Sequence, residues 1–441
     1  MRIFAICLFV LCAWGCDKES NMEMQSTSIK QLDTDTDYLA RSIVSLPDGS
    51  VIMGSVGLED ENGGAGYGFR PSLMAKYNPQ GDLEWVIDLP QEVYVLWKCI
   101  VLDDGNILAV GLGDTPNSQY VGAAIIDESG EVLHLESIFN NVSGPVSTPL
   151  KYSSVDAIQA QGGNILLVMP QQIVDSGNMN PRIIVLDKEL SILQDIDYEI
   201  QEGPVTYTLL ELVIEQAING DIFLSGRIYS TPNGSTNPFV GIIRLNHNLE
   251  IVDSKRFSSA STPFGFTLTG AVNSRTEIAS NIAIDASGSP VFVASLRNPS
   301  DSLFEPIFNL RGQDYFMRAP QLGLWHITSQ DVEAPIKQVT GFPANAIIQK
   351  IKSTSDGGFI MVGTCGINTN QALPSQYRML VFKTDPSLNV QWMVYPQMQF
   401  ATLGADIIES ANGYIVTATQ HSLGEINKPF LFKLNQSGIV E

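Results

Sequence analysis

Short apolar runs separated by tight polar turns recur from about residue 38 to the end of this chain. The turns read SLPDGSVIM at Gly49, VLDDGNILAVG at Gly105, AQGGNILLV at Gly163 and AINGDIFLSG at Gly220. They continue with IDASGSPVFVA at Gly288, TSDGGFIMVG at Gly357 and SANGYIVTA at Gly413. The glycines lie 56, 58, 57, 68, 69 and 56 residues apart. Asp-Gly, Asn-Gly and Gly-Gly between alternating apolar runs specify hairpins, because Gly accepts the positive φ of such turns. Every repeat also carries a second turn, as in AKYNPQGDLEW, AIIDESGEVL and VFKTDPSLNVQW. Two hairpins per repeat make four strands. LLELVIEQAI, residues 209–218, has some helical spacing but occupies a first-strand position, so a strand is expected there.

Four-stranded repeats are the mark of propeller blades. The predicted fold is therefore all-β, a seven-bladed β-propeller of four-stranded blades. The last repeat ends at SGIVE, where its fourth strand should begin. TSIKQLDT, residues 27–34, precedes the first repeat and is expected to supply that strand, closing the ring. The recurring pattern of DGG, an apolar run and Gly, then Lys-x-Asp/Asn ahead of a Trp, resembles the propeller repeats of Bacteroidota exported lipoproteins. The resemblance spans nearly all of the chain. It implies the fold and says almost nothing of activity, because propellers host many functions.

The first residues break the pattern. Arg2 precedes an apolar run from Ile3 to Leu11, too short to cross a bilayer as a helix, which needs roughly 20 residues. An export signal over residues 1–15 is expected. Gly15-Cys16 resembles a lipobox, although Ala13 stands where Leu is usual, and CDKES from Cys16 resembles a surface-export signal. The resemblance implies lipidation of Cys16, a tether over residues 16–26 and the propeller over residues 27–441. It places the chain at the outer membrane, lipid-anchored and facing the cell surface.

Charge narrows the partners. The net charge of −22 excludes a nucleic-acid binder, which concentrates Lys and Arg against phosphates. Beyond the signal only Cys99 and Cys365 remain, in blades that should not touch, so neither is expected in a disulfide. No Cys/His spacing suggests a metal site, and no nucleotide or cofactor fingerprint appears. The carboxylates of Asp33, Asp35 and Asp37 are spaced as in a calcium loop, but Tyr38 and Val44 stand where that loop needs Gly and Glu. A solvated acidic strand end is expected instead. No cofactor is expected. The partners are the membrane, through the lipid, and a glycan or envelope protein bound by a monomer.

Repeat equivalence sorts the remaining candidates. Trp85 and Trp392 occupy matching positions after their second turns and are expected to pack between blades. Lys76, Arg244, Lys383 and Lys433 recur two residues before the second turn's Asn or Asp, as snorkelling stems over the blade edge. Seven residues before the first-turn glycine stand Ser42, Lys98, Asp156, Val213, Asn281, Lys350 and Asp406. This is the innermost strand, so these residues should ring the channel mouth, with Lys98 beside Asp156 and Lys350 beside Asp406. Two readings stay open: charge-paired filling, or a small polar ligand held at the mouth.

Long insertions in repeats 1 and 5 fall on the face opposite the short turns. They carry Tyr67, Phe69 and Arg70 in one, and Phe304, Phe308, Arg311, Tyr315, Phe316 and Arg318 in the other. Aromatic and Arg residues on long loops are candidate ligand contacts. DSL at 301–303 resembles an O-glycosylation motif. The sequence thus favours a non-catalytic binding or scaffold propeller of the envelope. A glycan-directed hydrolase with acids from several blades remains the alternative, because such pairs leave no linear motif.

Overall fold

A computed structural model describes residues 29–60, 67–115, 118–139, 155–172, 179–198, 201–202, 205–230, 239–257, 267–268, 281–297, 308–310, 313–315, 321–326, 337–339, 346–366, 377–396, 398, 400–421 and 426–441. Seven antiparallel four-stranded sheets stand in a ring, a seven-bladed β-propeller with almost no helix. Blade 1 comprises Tyr38–Ser45, Val51–Asp60, Tyr67–Tyr77 and Leu83–Asp88. The inner strands of blades 2 to 7 are Val95–Val101, Asp156–Gln159, Val205–Gln216, Asn281–Ile284, Ala346–Ser353 and Ala401–Ser410. Each inner strand packs against the next around the ring. The stretch with mixed spacing is the strand Val205–Gln216, as its place in the repeat required.

The ring closes as expected. Ile29–Gln31 pairs antiparallel with Lys428–Asn435, setting Ile29 opposite Phe432 and Gln31 opposite Phe430. Asp37 at the other end of the link accepts hydrogen bonds from the backbone N–H and the amide of Asn427. Lys428 donates to Asp33 at 2.6 Å. Two of the three carboxylates of the acidic run therefore hold the closure.

The core is a chain of interfaces between successive blades. Apolar clusters join blades 1 to 3, 3 to 4, 5 to 6, 6 to 7, and 7 back to 1. Second turns need a left-handed residue, and blades 1 and 2 use Gly81 and Gly130 there. Blades 3, 4 and 6 use Leu190, Leu249 and Leu388 at φ between 64° and 66°. Those leucines are buried. Burial of about 1.5–3 kcal/mol per Leu outweighs a left-handed penalty of roughly 1–2 kcal/mol.

Both expected tryptophans bridge blades. The Trp85 indole N–H donates to Glu128 O at 3.1 Å, and that of Trp392 to Gln436 O at 3.0 Å, each in the second turn of the following blade. Gly438 leaves room for the Trp392 ring: a Cβ there would lie 2.5 Å from it.

The recurring basic residues correct the snorkelling expectation. Lys383 is 1% exposed, and its ammonium sits 2.8 Å from both oxygens of Asp356, while Arg244 pairs with Asp221. Lys76 contacts Glu84 at 3.1 Å and Glu128 O at 3.3 Å, and Lys433 reaches Pro79 O at 3.2 Å. A cation beside turn carbonyls and turn carboxylates gains more by staying than by reaching water. Asp356, against some desolvation of its carboxylate, is held down to about 2 by its hydrogen bonds from Lys383, Thr354 and Gly358.

Candidate functional site

The ring positions read from the sequence coincide in space. Ser42, Lys98, Val213, Lys350 and Asp406 each follow a bulge in their inner strand and pair across the sheet with Gly54, Val110, Ser225, Val362 and Thr417. Asp156 and Asn281 open their strands opposite Val168 and Val293. A side chain at this position can accept a hydrogen bond from the next blade. Ser42 Oγ accepts from the Cys99 N–H at 3.1 Å, Asp156 Oδ2 from Ile214 at 3.2 Å, and Asp406 Oδ2 from Ile43 at 3.1 Å.

Lysine cannot accept a bond, so Lys98 and Lys350 break this relay. The aspartate of the following blade compensates by capping the next N–H of its own chain. Asp156 Oδ1 accepts from Ala157 at 3.0 Å, and Asp406 Oδ1 from Ile407 at 2.8 Å. The two aspartates thereby fasten three blades apiece when their lysines are added.

Those lysines differ. Lys98 Nζ sits 2.9 Å from Asp156 Oδ1, as expected. Asp406 is met at 3.0 Å by Lys352, not by Lys350. Lys352 lies two residues along the same strand and so on the same side of it. With Asp406 occupied, Lys350 forms no hydrogen bond or ion pair with a described residue, and the same holds for Glu215 of blade 4. Lys352 and Glu215 were missed in the sequence. Their signal was a second polar layer two residues beyond the first, which in the other blades reads Val44, Ile100, Ile158, Ala283 and Ile408.

Between Glu215 and Lys352 lies Ala283 of blade 5. Its short side chain opens a cavity of about 490 Å³ lined by Lys98, Glu215, Ala283, Lys350 and Lys352. Ile218, Ala286, Ser355 and Gly357, all in first turns, form its mouth. The cavity therefore opens towards the short-turn face. Other polar groups on its wall are engaged: Ser353 Oγ donates to Ile284 O, Thr354 Oγ1 to Asp356, and Ser355 Oγ to Glu409.

The electrostatics follow the partnering. Burial would raise Asp156 and Asp406, but the neighbouring lysines hold both below the usual carboxylate range. Burial would lower Lys98, yet Asp156, Glu215 and Asp406 hold it above its ordinary value. Glu215 is raised by burial against the pull of Lys350 and Lys98. Lys350 is lowered by burial and by the like charge of Lys98. Cys99 and Cys365 are buried free thiols, each pushed up to about 12 by burial, as the blade map required.

The long-loop candidates lie elsewhere. Tyr67 and Phe69 fall on the strand Tyr67–Tyr77, and Phe308 pairs with Tyr315 in a small separate hairpin. Arg70 is half-buried, and its Nε is buried without a hydrogen bond. Phe304, Arg311, Phe316, Arg318, Cys16 and the 301–303 motif lie outside the described residues. Among the described residues no cluster of His, Cys, Asp and Glu is arranged to hold a metal ion.

No family model matches the chain, and no curated protein is similar to it in sequence. Solved structures do match. An ulvan lyase of a new polysaccharide lyase family, bound to a GlcA(1-4)Rha3S unit, superposes with a TM-score of 0.56 at 10% identity, covering 93% of this chain and 97% of its own. The polysaccharide lyase Uly1 gives a TM-score of 0.51 at 10% identity, covering 95% and 94%. An α-L-arabinofuranosidase from Fusarium graminearum gives 0.48 at 9% identity, covering 74% and 88%. At such identities the likeness is one of fold.

Proposed function

We propose that this chain is a non-catalytic binding propeller of the cell envelope, anchored by a lipid on Cys16, which holds a small polar ligand at the short-turn mouth of its channel. The observation that carries the reading is the pair Lys350 and Glu215, two charges that line the cavity without a hydrogen bond or ion pair to a described residue, while Lys98 and Lys352 are engaged by aspartates. Unpaired buried charges cost stability, and perturbed groups in a cleft mark functional sites. The volume falls within the roughly 300–1,000 Å³ of small-molecule sites. Tyr67, Phe69, Arg70, Phe304, Phe308, Arg311, Tyr315 and Arg318, the aromatic and Arg residues of the long insertions, are a proposed contact set for a glycan or envelope protein.

The hydrolase alternative needs two carboxylates free to act on one bond. Among the described channel residues, Asp156 and Asp406 have both oxygens occupied. Asp285 on the cavity wall accepts from Ser287 and Ser289 and lies 3.5 Å from His326. Glu215 is left alone, which favours binding over hydrolysis. A thermal-shift screen of the full chain against sugars, uronates, amino acids and dipeptides tests this reading. A shift that disappears in Lys350→Met supports it. No shift from any class, a shift indifferent to that variant, or turnover of the bound compound overturns it. Mass spectrometry of membrane-extracted protein should find an acylated Cys16, and an unmodified soluble form would remove the anchor.

A further inference from the structure

In the cavity region Lys98, Lys350 and Lys352 face Asp156, Glu215 and Asp406, and two of the three possible pairs are made within the protein. Asp285, the further carboxylate of the lining, accepts from Ser287 and Ser289 and lies 3.5 Å from His326. What remains is one cation on blade 6 and one anion on blade 4, both lining the cavity with Ala283 and attracting each other without forming an ion pair. A ligand that enters must desolvate both. A monoanion such as a uronate would satisfy Lys350 but leave Glu215 facing hydroxyls, and it would approach a protein of net charge −22. A monocation would do the reverse and leave Lys350 bare. Only a molecule with both signs compensates both groups without adding net charge to a poorly solvated site.

Resting on the binding reading above, we propose that the cavity takes a small zwitterion of the α-amino-acid type, free or as a short peptide, with its carboxylate on Lys350 and its ammonium on Glu215. Charge-assisted hydrogen bonds of this kind are the strong ones, and two of opposite sense fix the ligand's direction in the channel. Lys98 and Lys352 flank the carboxylate end but stay bound to their aspartates, so they steer without being released. Ala283 and Ile351 give the middle of the ligand an apolar wall. The hydroxyls and Gln216 around the mouth are already engaged, which leaves the two charges as the discriminating contacts.

The test is calorimetric titration of the full chain with L-alanyl-L-alanine and with free L-alanine, each beside its N-acetyl and C-amide derivatives, and with D-glucuronate. The zwitterions should bind, and blocking either end should weaken binding at least tenfold. In Glu215→Gln the N-acetyl penalty should shrink, and in Lys350→Met the C-amide penalty should shrink. These cross-matched losses are a pattern that general destabilisation does not produce, and the blocked ligands report even if a variant fails to fold. Blocked forms binding as well as the zwitterions would overturn the proposal. Tighter binding of glucuronate, lost in Lys350→Met, would overturn the zwitterion while leaving the cavity a binding site. Failure of every probe, together with a blank screen, would overturn both readings.

Discussion

The junction of blades 2 and 3 and that of blades 6 and 7 begin from the same sequence relation. Each sets a lysine on one inner strand and an aspartate at the equivalent place on the next. In the first, Lys98 closes on Asp156 at 2.9 Å and the charges are used up in holding blades together. In the second, Lys352 takes Asp406 at 3.0 Å and Lys350 is displaced from its expected partner. One extra lysine, two residues along a strand, converts a structural ion pair into a spare cation. The difference teaches that repeat position assigns a residue its location but not its partner.

The bluntest way to break this comparison is to open the ring. Deleting residues 17–36 removes the strand paired with Phe430 to Phe432 and exposes a sheet edge, so aggregation should increase. Hydrogen exchange should then show the Ile43 N–H, bonded to Asp406, losing protection ahead of the Ile214 N–H, bonded to Asp156. Equal losses would mean the two junctions are not separately held.

Single lysine changes come next. Lys98→Met leaves Asp156 buried and short of its cation, a loss of about 3–5 kcal/mol. At roughly 1 °C per kcal/mol for a chain of this size, the melting temperature should fall by several degrees. Lys350→Met removes a desolvated charge that no described residue pairs, and should leave the melting temperature within about 1 °C of the parent. Similar falls for both variants would erase the distinction.

Lys352→Met sharpens it. With Asp406 released, Lys350 is free to take it, making the second junction a copy of the first. The single variant should lose less than about 1 kcal/mol, while Lys350→Met with Lys352→Met should lose about 3–5 kcal/mol. An additive double variant would show that Lys350 cannot substitute.

The smallest effect concerns Glu215. Its folded pKa is raised by burial, over the opposing pull of Lys350, Lys98 and Lys352 and with help from Asp156. A carboxyl raised in the folded state favours folding fully below its unfolded value, about 4.3, and that advantage is lost as pH rises through the folded value. Glu215→Gln should therefore raise the melting temperature by about 1–2 °C at pH 7 and change it little near pH 4. Asp156 and Asp406 are lowered, so their contribution has the opposite sign and fades as pH falls through their folded values. A Glu215→Gln variant less stable at pH 7 would place the carboxylate in an ion pair after all.

What the sequence determined by itself is everything local or repeated. The glycine turns set the hairpins, their spacing set seven blades, and the incomplete last repeat pointed to the strand Ile29–Gln31. Equivalence between repeats was enough to place Trp85 and Trp392 between blades and to put Lys98, Asp156, Lys350 and Asp406 around the channel. These follow from backbone dihedral preference and strand alternation, which act over a few residues. The tertiary structure decided the partners. Lys383 reads as a surface cation but is buried on Asp356, because the turn that supplies the carboxylate comes from another hairpin of the blade. Glu215 and Lys352 read as ordinary strand residues until blade 5 places Ala283 between them and leaves the cavity. Which charges meet, and which are left over, depends on side-chain reach across blades whose residues lie 54 to 135 apart in the chain, and no local pattern encodes that distance.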